Sequence, residues 1–262
     1  MNLTWTSGVG GFVAGLVIAI VTTPVGVSGA VFLLPVQLSI LHVPSPAVTP
    51  TNLLFNVVAG PGALLHYARS GQLRGPLAVQ LLLGTVPGVI VGALLRVFVV
   101  PGGRLFRLIA AAVLLPLGSW LCARTFFSNT IPQPRSMSAA RVTGLALCIG
   151  VVGGIYGIGG GSILGPILVA RGESVTIVAP AALASTFAAS IVGASTYAAL
   201  AFLSRGDIAP VWPLGLLCGL GGLIGGYLGA KLQPLLPEAA LRFLLGLTAI
   251  AVGAWYIFDA VA

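Results

Sequence analysis

The segment GVSGAVFLLP at residues 26–35 returns in altered form as GIGGGSILGP at residues 157–166. Each copy is a small-residue cluster that opens a short apolar stretch ending in proline. The two prolines, Pro35 and Pro166, stand half a chain length apart. Self-similarity at half length in a very apolar chain constrains the fold to two structural repeats. Glycine is a poor helix former and proline removes a backbone donor, so both clusters mark interruptions in otherwise helical segments.

Composition places those repeats in a bilayer. The chain is 58% hydrophobic with a mean hydropathy of +1.11, and only 6% of its residues are charged, against about 25% in soluble domains. No charged side chain precedes Arg69, so the first quarter of the chain cannot make an ordinary solvated surface. The opening MNLTWTSG lacks a basic n-region and a small-residue cleavage site, so residues 8–23 are expected to be a retained membrane segment rather than a signal peptide. A net charge of +8 suggests nucleic acid in a soluble protein. Here the basic residues are scattered without interleaved aromatics, which fits cytoplasmic loops obeying the positive-inside bias and no nucleic-acid partner. Cys122, Cys148 and Cys218 sit singly in apolar stretches with no C-x-x-C spacing, the pattern of small packing residues.

Apolar stretches fall at about 8–25, 28–42, 47–68, 76–99 and 104–127, then at about 140–157, 161–171, 177–203, 210–233 and 239–258. Each half thus holds five, which predicts an all-α polytopic membrane protein with repeats at 1–125 and 141–262 joined by a polar linker at 126–140. The second stretch of each half falls short of the roughly 20 residues that a span needs. It is expected to be a half-helix or re-entrant arm following a break near the bilayer midplane. An odd number of crossings per half inverts the second repeat. With the N-terminus outside, eight basic residues fall on inside loops and four on outside ones, which favours that orientation.

The halves also match beyond the clusters. Thr51-Asn52-Leu53 corresponds to Ser185-Thr186-Phe187, and Asn56 to Ser190. The loop Arg69-Ser70-Gly71-Gln72 resembles Ser204-Arg205-Gly206-Asp207, and Gly88 with Gly92-Ala93 matches Gly225 with Gly229-Ala230.

Broken helices in two-repeat membrane proteins carry solute sites, and a helix start offers N–H groups and a positive dipole end to anions. Ser28 and Gly29 in the first cluster, and Gly159, Gly160, Gly161 and Ser162 in the second, are therefore candidate anion ligands. The competing reading is close helix packing through small residues; duplication at matching positions favours the site. Asn52 and Asn56 lie one helical turn apart, as do Thr186 and Ser190. Buried amides and hydroxyls need partners, so both pairs are expected either to line one cavity or to bond helix to helix. Ser185 beside them, and His66 at the inner end of its helix, complete the candidate set. Arg96, after a long apolar run, is expected to snorkel to the interface. All four acids, Glu173, Asp207, Glu238 and Asp259, fall at segment ends or loops. That gives no expected metal site, cofactor, proton relay or catalytic cluster. GIGGGS fits neither a P-loop nor a dinucleotide loop, which need a soluble strand–helix context.

The GIGGGSILGP element, the T-N-L and S-T-F elements, the Arg-Ser-Gly loop and the glycine–alanine stretches together resemble the sulfite exporter TauE/SafE family over about residues 10–258. The first half departs from that pattern: GVSGAV lacks the triple glycine, and Asn52 stands where the family element has serine. The resemblance implies a bacterial inner-membrane permease, often an exporter, for sulfite, sulfoacetate or related organosulfonate anions, with a homo-oligomer as an open option. Against it stand a permease for another small solute or metal ion, and a non-transporting membrane structural or assembly protein.

Overall fold

The computed structural model describes residues 5–73, 75–99, 103–127, 137–171, 173–203, 208–235 and 237–261. Among these residues every regular element is helical. In chain order they are α1 (Trp5–Thr22), α2 (Ala30–Pro35), α3 (Ser45–Arg69), α4 (Pro76–Phe98), α5 (Gly103–Phe127), α6 (Ala139–Tyr156), α7 (Gly161–Ala170), α8 (Val175–Leu203), α9 (Trp212–Leu232) and α10 (Glu238–Val261). Six described segments are long and apolar enough to cross a membrane: Trp5–Val25, Ala47–Arg69, Pro76–Phe98, Ala139–Tyr156, Val175–Leu203 and Trp212–Leu235. The chain is a multi-pass membrane protein. The expected linker falls partly, and the loop at 204–207 wholly, outside the described residues.

Proline and glycine set the element limits. Prolines at the first turns of α3, α4 and α9 begin helices where a missing N–H costs nothing. Pro35 ends α2 after six residues, and the chain continues as a π turn over Val36–Ile40; a residue with no N–H cannot extend the i to i−4 ladder. Gly26, which closes a 3-10 turn after α1, and Gly157, which caps α6, adopt nearly the same left-handed geometry, with φ of 74° and 73°. Gly159 and Gly160 follow at φ of 71° and 80°, a run of positive φ that side-chain-bearing residues strongly resist.

Small residues decide which helices meet. A Cβ on Gly84, Gly88 or Gly92 of α4 would strike the backbone of α6, and one on Gly150 or Gly154 of α6 would strike α4. Gly15 of α1 and Gly221, Gly225 and Gly229 of α9 interlock in the same way. Lipid tails are as apolar as leucine, so it is close van der Waals approach, which only glycine permits here, that holds such pairs together. The contacts rise together along α4 and α6 (Gly84 with Thr143, Gly92 with Val151), so these helices run parallel. By the same test α1, α3 and α9 are parallel to one another: Gly11 meets Leu214 and Gly225 meets Leu16, while Gly215 meets Leu54 and Gly226 meets Ala63. Helices α3 and α8 cross antiparallel, with Gly60 against Phe187 and Gly193 against Leu53. Helices α5 and α10 form a further antiparallel pair through Gly118, Gly246 and Gly253.

Candidate functional site

The two glycine breaks meet in the middle of the bundle. The Ser28 N–H donates to Ser162 Oγ at 3.0 Å, so the two clusters touch directly. Asn56, near the middle of the 25-residue α3, joins both breaks: its Oδ1 accepts the Ser28 hydroxyl and its Nδ2 donates to the Gly157 carbonyl at 3.4 Å. Asn52, one turn earlier, donates from Nδ2 to the Ala30 carbonyl at 2.8 Å. The first turn of α2 is thereby tied to α3.

From the opposite side α8 presents Thr186 and Ser190. Ser190 Oγ lies 2.9 Å from where a Cβ would stand on Gly159, and Thr186 Oγ1 lies 2.5 Å from the same point on Gly161. Both hydroxyls therefore point into the turn that starts α7, and only glycine leaves them room. Neither has a hydrogen-bond partner, and neither does Asn52 Oδ1. Asn52 and Ser190 are fully buried and Thr186 is 3% exposed. An unmet buried polar atom costs about 1–3 kcal/mol. The two hydroxyls stand against the glycine turn at the N-terminus of a ten-residue helix, and Asn52 stands against Gly157 just before it, so this break is bordered by a polar nest of three buried side chains with bonds to spare.

The expected residues thus divide. Asn52, Thr186, Ser190, Gly159, Gly160, Gly161 and Ser162 gather at the second break. Ser28, Gly29 and Asn56 are there too, but Ser28 and Asn56 spend their polar atoms on each other and on the two breaks. Gly29 packs beneath the Phe55 ring and accepts the first turn of α2. Ser185 turns to Thr85 at 2.8 Å on α4. His66 does not join the cluster: it lies ten residues past Asn56 on α3, about 15 Å along the axis at 1.5 Å per residue. It lines a cavity of about 280 Å³ with Pro24, Val25, Ser70, Thr176 and Gln233.

Arg96 does not snorkel. It is 2% exposed and donates to the Ser45 carbonyl at 2.7 Å, the Ser45 hydroxyl at 2.9 Å and Thr49 Oγ1 at 3.5 Å; carbonyls and hydroxyls at the start of α3 give it a better environment than lipid headgroups. Thr49 in turn donates to the Ile155 carbonyl at 3.0 Å, just before the second break. Four residues past its own glycine–alanine pair, as Arg96 is past the first, Gln233 donates to the Pro24 carbonyl at 2.7 Å and accepts from the Tyr67 hydroxyl at 3.1 Å. Each break thus carries a polar latch on its outer side. The repeated position of Arg96 and Gln233 was a readable signal for this pair; nothing in the sequence announced Tyr67, or Tyr197, whose hydroxyl holds the Gly154 carbonyl at 2.9 Å.

A family model described as Sulfite exporter TauE/SafE matches residues 11–256. The chain belongs to the TauE/SafE family. No curated protein and no solved structure matches it. TauE/SafE membership makes this a membrane protein of a transporter family, and it covers both glycine breaks, both latches and every residue of the polar nest.

Proposed function

We propose that the protein is a secondary transporter that carries small sulfur-containing anions such as sulfite or an organosulfonate out of a bacterial cell across the inner membrane. Family membership supports the class. The single observation that carries the site is the set of three unpartnered buried polar atoms at the second break: the Thr186 and Ser190 hydroxyls against the turn that starts α7, and Oδ1 of Asn52, a side chain that lies against Gly157. Two neutral hydroxyls and a helix N-terminus hold an anion without the tight grip of a buried arginine, which suits a ligand that must be released again. The 280 Å³ cavity at the His66 end is then the entry mouth, on the side where the basic loops place the cytoplasm.

We further read the chain as two inverted repeats. Helices α1, α3 and α9 run opposite to α4, α6 and α8, so α1 opposes α6, α3 opposes α8 and α4 opposes α9, as inversion requires. Single cysteines at Gly71 and Gly206 should label from opposite membrane faces with an impermeant maleimide. Labelling from one face rejects the inversion.

The function is tested by flux of radiolabelled sulfite and sulfoacetate into proteoliposomes. An anion leaving a negative-inside compartment gains about 2.3 kcal/mol per charge per 100 mV. A valinomycin-clamped potassium gradient should therefore speed movement toward the positive side, and at steady state favour that side about 50-fold at 100 mV for one charge carried. Indifference to the potential would mean electroneutral coupling, and no flux across a panel of small anions would favour a structural role.

A further inference from the structure

We infer that the nest takes its anion with one proton still attached, as a hydrogen-sulfite-type monoanion, and discriminates against fully deprotonated dianions. The inference rests on the transport reading above and narrows it to one ionic form. It starts from the orientation of the Asn52 amide. Nδ2 is fixed by the Ala30 carbonyl at 2.8 Å, and flipping the amide would set two carbonyl oxygens against each other. Oδ1 is therefore the atom left without a partner, on a side chain with no exposure at all. A carbonyl oxygen is an acceptor only, so its partner must bring a hydrogen.

The rest of the nest can supply the donors that an anion needs, because a hydroxyl donates as well as accepts. The Thr186 and Ser190 hydroxyls flank Gly161 and Gly159, where a ligand oxygen would be met by donors. Asn52 flanks the same turn at Gly157, its Cβ 3.2 Å from where a Gly157 Cβ would stand. A dianion presents acceptors all round and would leave Oδ1 both unbonded and repelled. A monoanion with one O–H or S–H bond satisfies the acceptor on one flank and the donors on the other.

Among the described residues, no titratable side chain is bonded to Asn52. On the elements packed around Asn52, Tyr197 of α8 is engaged with the Gly154 carbonyl, Arg96 of α4 with Ser45 and Thr49, and Cys218 of α9 lies against Gly11 and Gly15. Tyr156 of α6 lines an apolar cavity with Val31, Leu114 and Ile163. His66 and Tyr67 lie at the far end of α3, and α2, its π turn and α7 contain no titratable residue. Asn52 bonds to none of these groups.

The test is initial sulfite flux in proteoliposomes at fixed membrane potential, over a pH range spanning the second ionisation of sulfurous acid, with sulfate as competitor. KM expressed in total sulfite should rise about tenfold per pH unit above that ionisation while kcat stays level, and sulfate should not compete. The slope should persist in His66→Gln, which assigns it to the ligand; loss of the slope in that variant overturns the inference. Asn52→Leu should raise KM at least tenfold at every pH. If that variant yields no flux, sulfite binding to the detergent-purified protein by calorimetry reads the same loss. A KM that is flat or falls with pH overturns the inference, as does an absolute sodium requirement at constant pH, which would give Oδ1 to a cation. Flux of sulfoacetate without sulfite overturns it while leaving the transport reading intact. Absence of all flux overturns both.

Discussion

Thr186→Val and Ser190→Ala should each leave the protein as stable as before, or slightly more stable, and lower sulfite flux at least tenfold. In the structure both hydroxyls are buried without partners. Removing such an atom relieves a desolvation cost of about 1–3 kcal/mol instead of breaking a bond. A residue that only packs helices would show the reverse, a loss of stability with little change in transport. Asn56 provides the contrast. Leucine at that position would strand the Ser28 hydroxyl and the Gly157 carbonyl, so its first effect should be a lower melting temperature. Thermal unfolding in detergent beside proteoliposome flux separates the two patterns. Retained flux in both hydroxyl variants would show that the anion passes elsewhere.

Gly161→Ala should be strongly damaging. The added carbon would press on the Ala182 backbone carbonyl and on Thr186 Oγ1 together. A carbonyl in the middle of a 29-residue helix cannot step aside like the end of a flexible side chain. Overpacking against rigid backbone costs about 3 kcal/mol or more, so the melting temperature should fall by on the order of 10 °C. Gly144→Ala is the control. Gly144 lies within α6 with open space around it, and alanine there should raise helix stability by up to about 1 kcal/mol. Equal effects of the two substitutions would mean that α7 does not dock against α8 as described.

Both predictions concern groups that the sequence offers as candidates, yet it could not rank them. The ten apolar stretches and the two glycine interruptions were legible because helix length, proline and glycine act locally. So were the matching helix positions of residues 52, 56, 186 and 190, because duplication ties them together. Which of two neighbouring asparagines keeps a free oxygen was not legible, since it depends on whether the Ala30 carbonyl or the Ser28 hydroxyl lies within reach. Arg96 misled for a related reason: its apolar approach reads as a route to the interface, and the hydroxyls that hold it come from a helix some fifty residues earlier. His66 was placed correctly at the end of α3, but sequence carries no measure of the distance between that end and the nest.

The glycine contacts of α1 with α9 and of α4 with α6 join helices that are far apart in the chain. The closely packed helix sets therefore do not follow the two halves of the sequence. Helices α1, α3 and α9 interlock as one parallel slab, and α4, α6 and α8 as another, each assembled from both halves of the gene product. The two slabs meet where α3 faces α8, the antiparallel seam with Asn52 on one wall and Thr186 and Ser190 on the other. The nest thus lies where the two slabs meet, so a movement of one against the other would carry its walls with it.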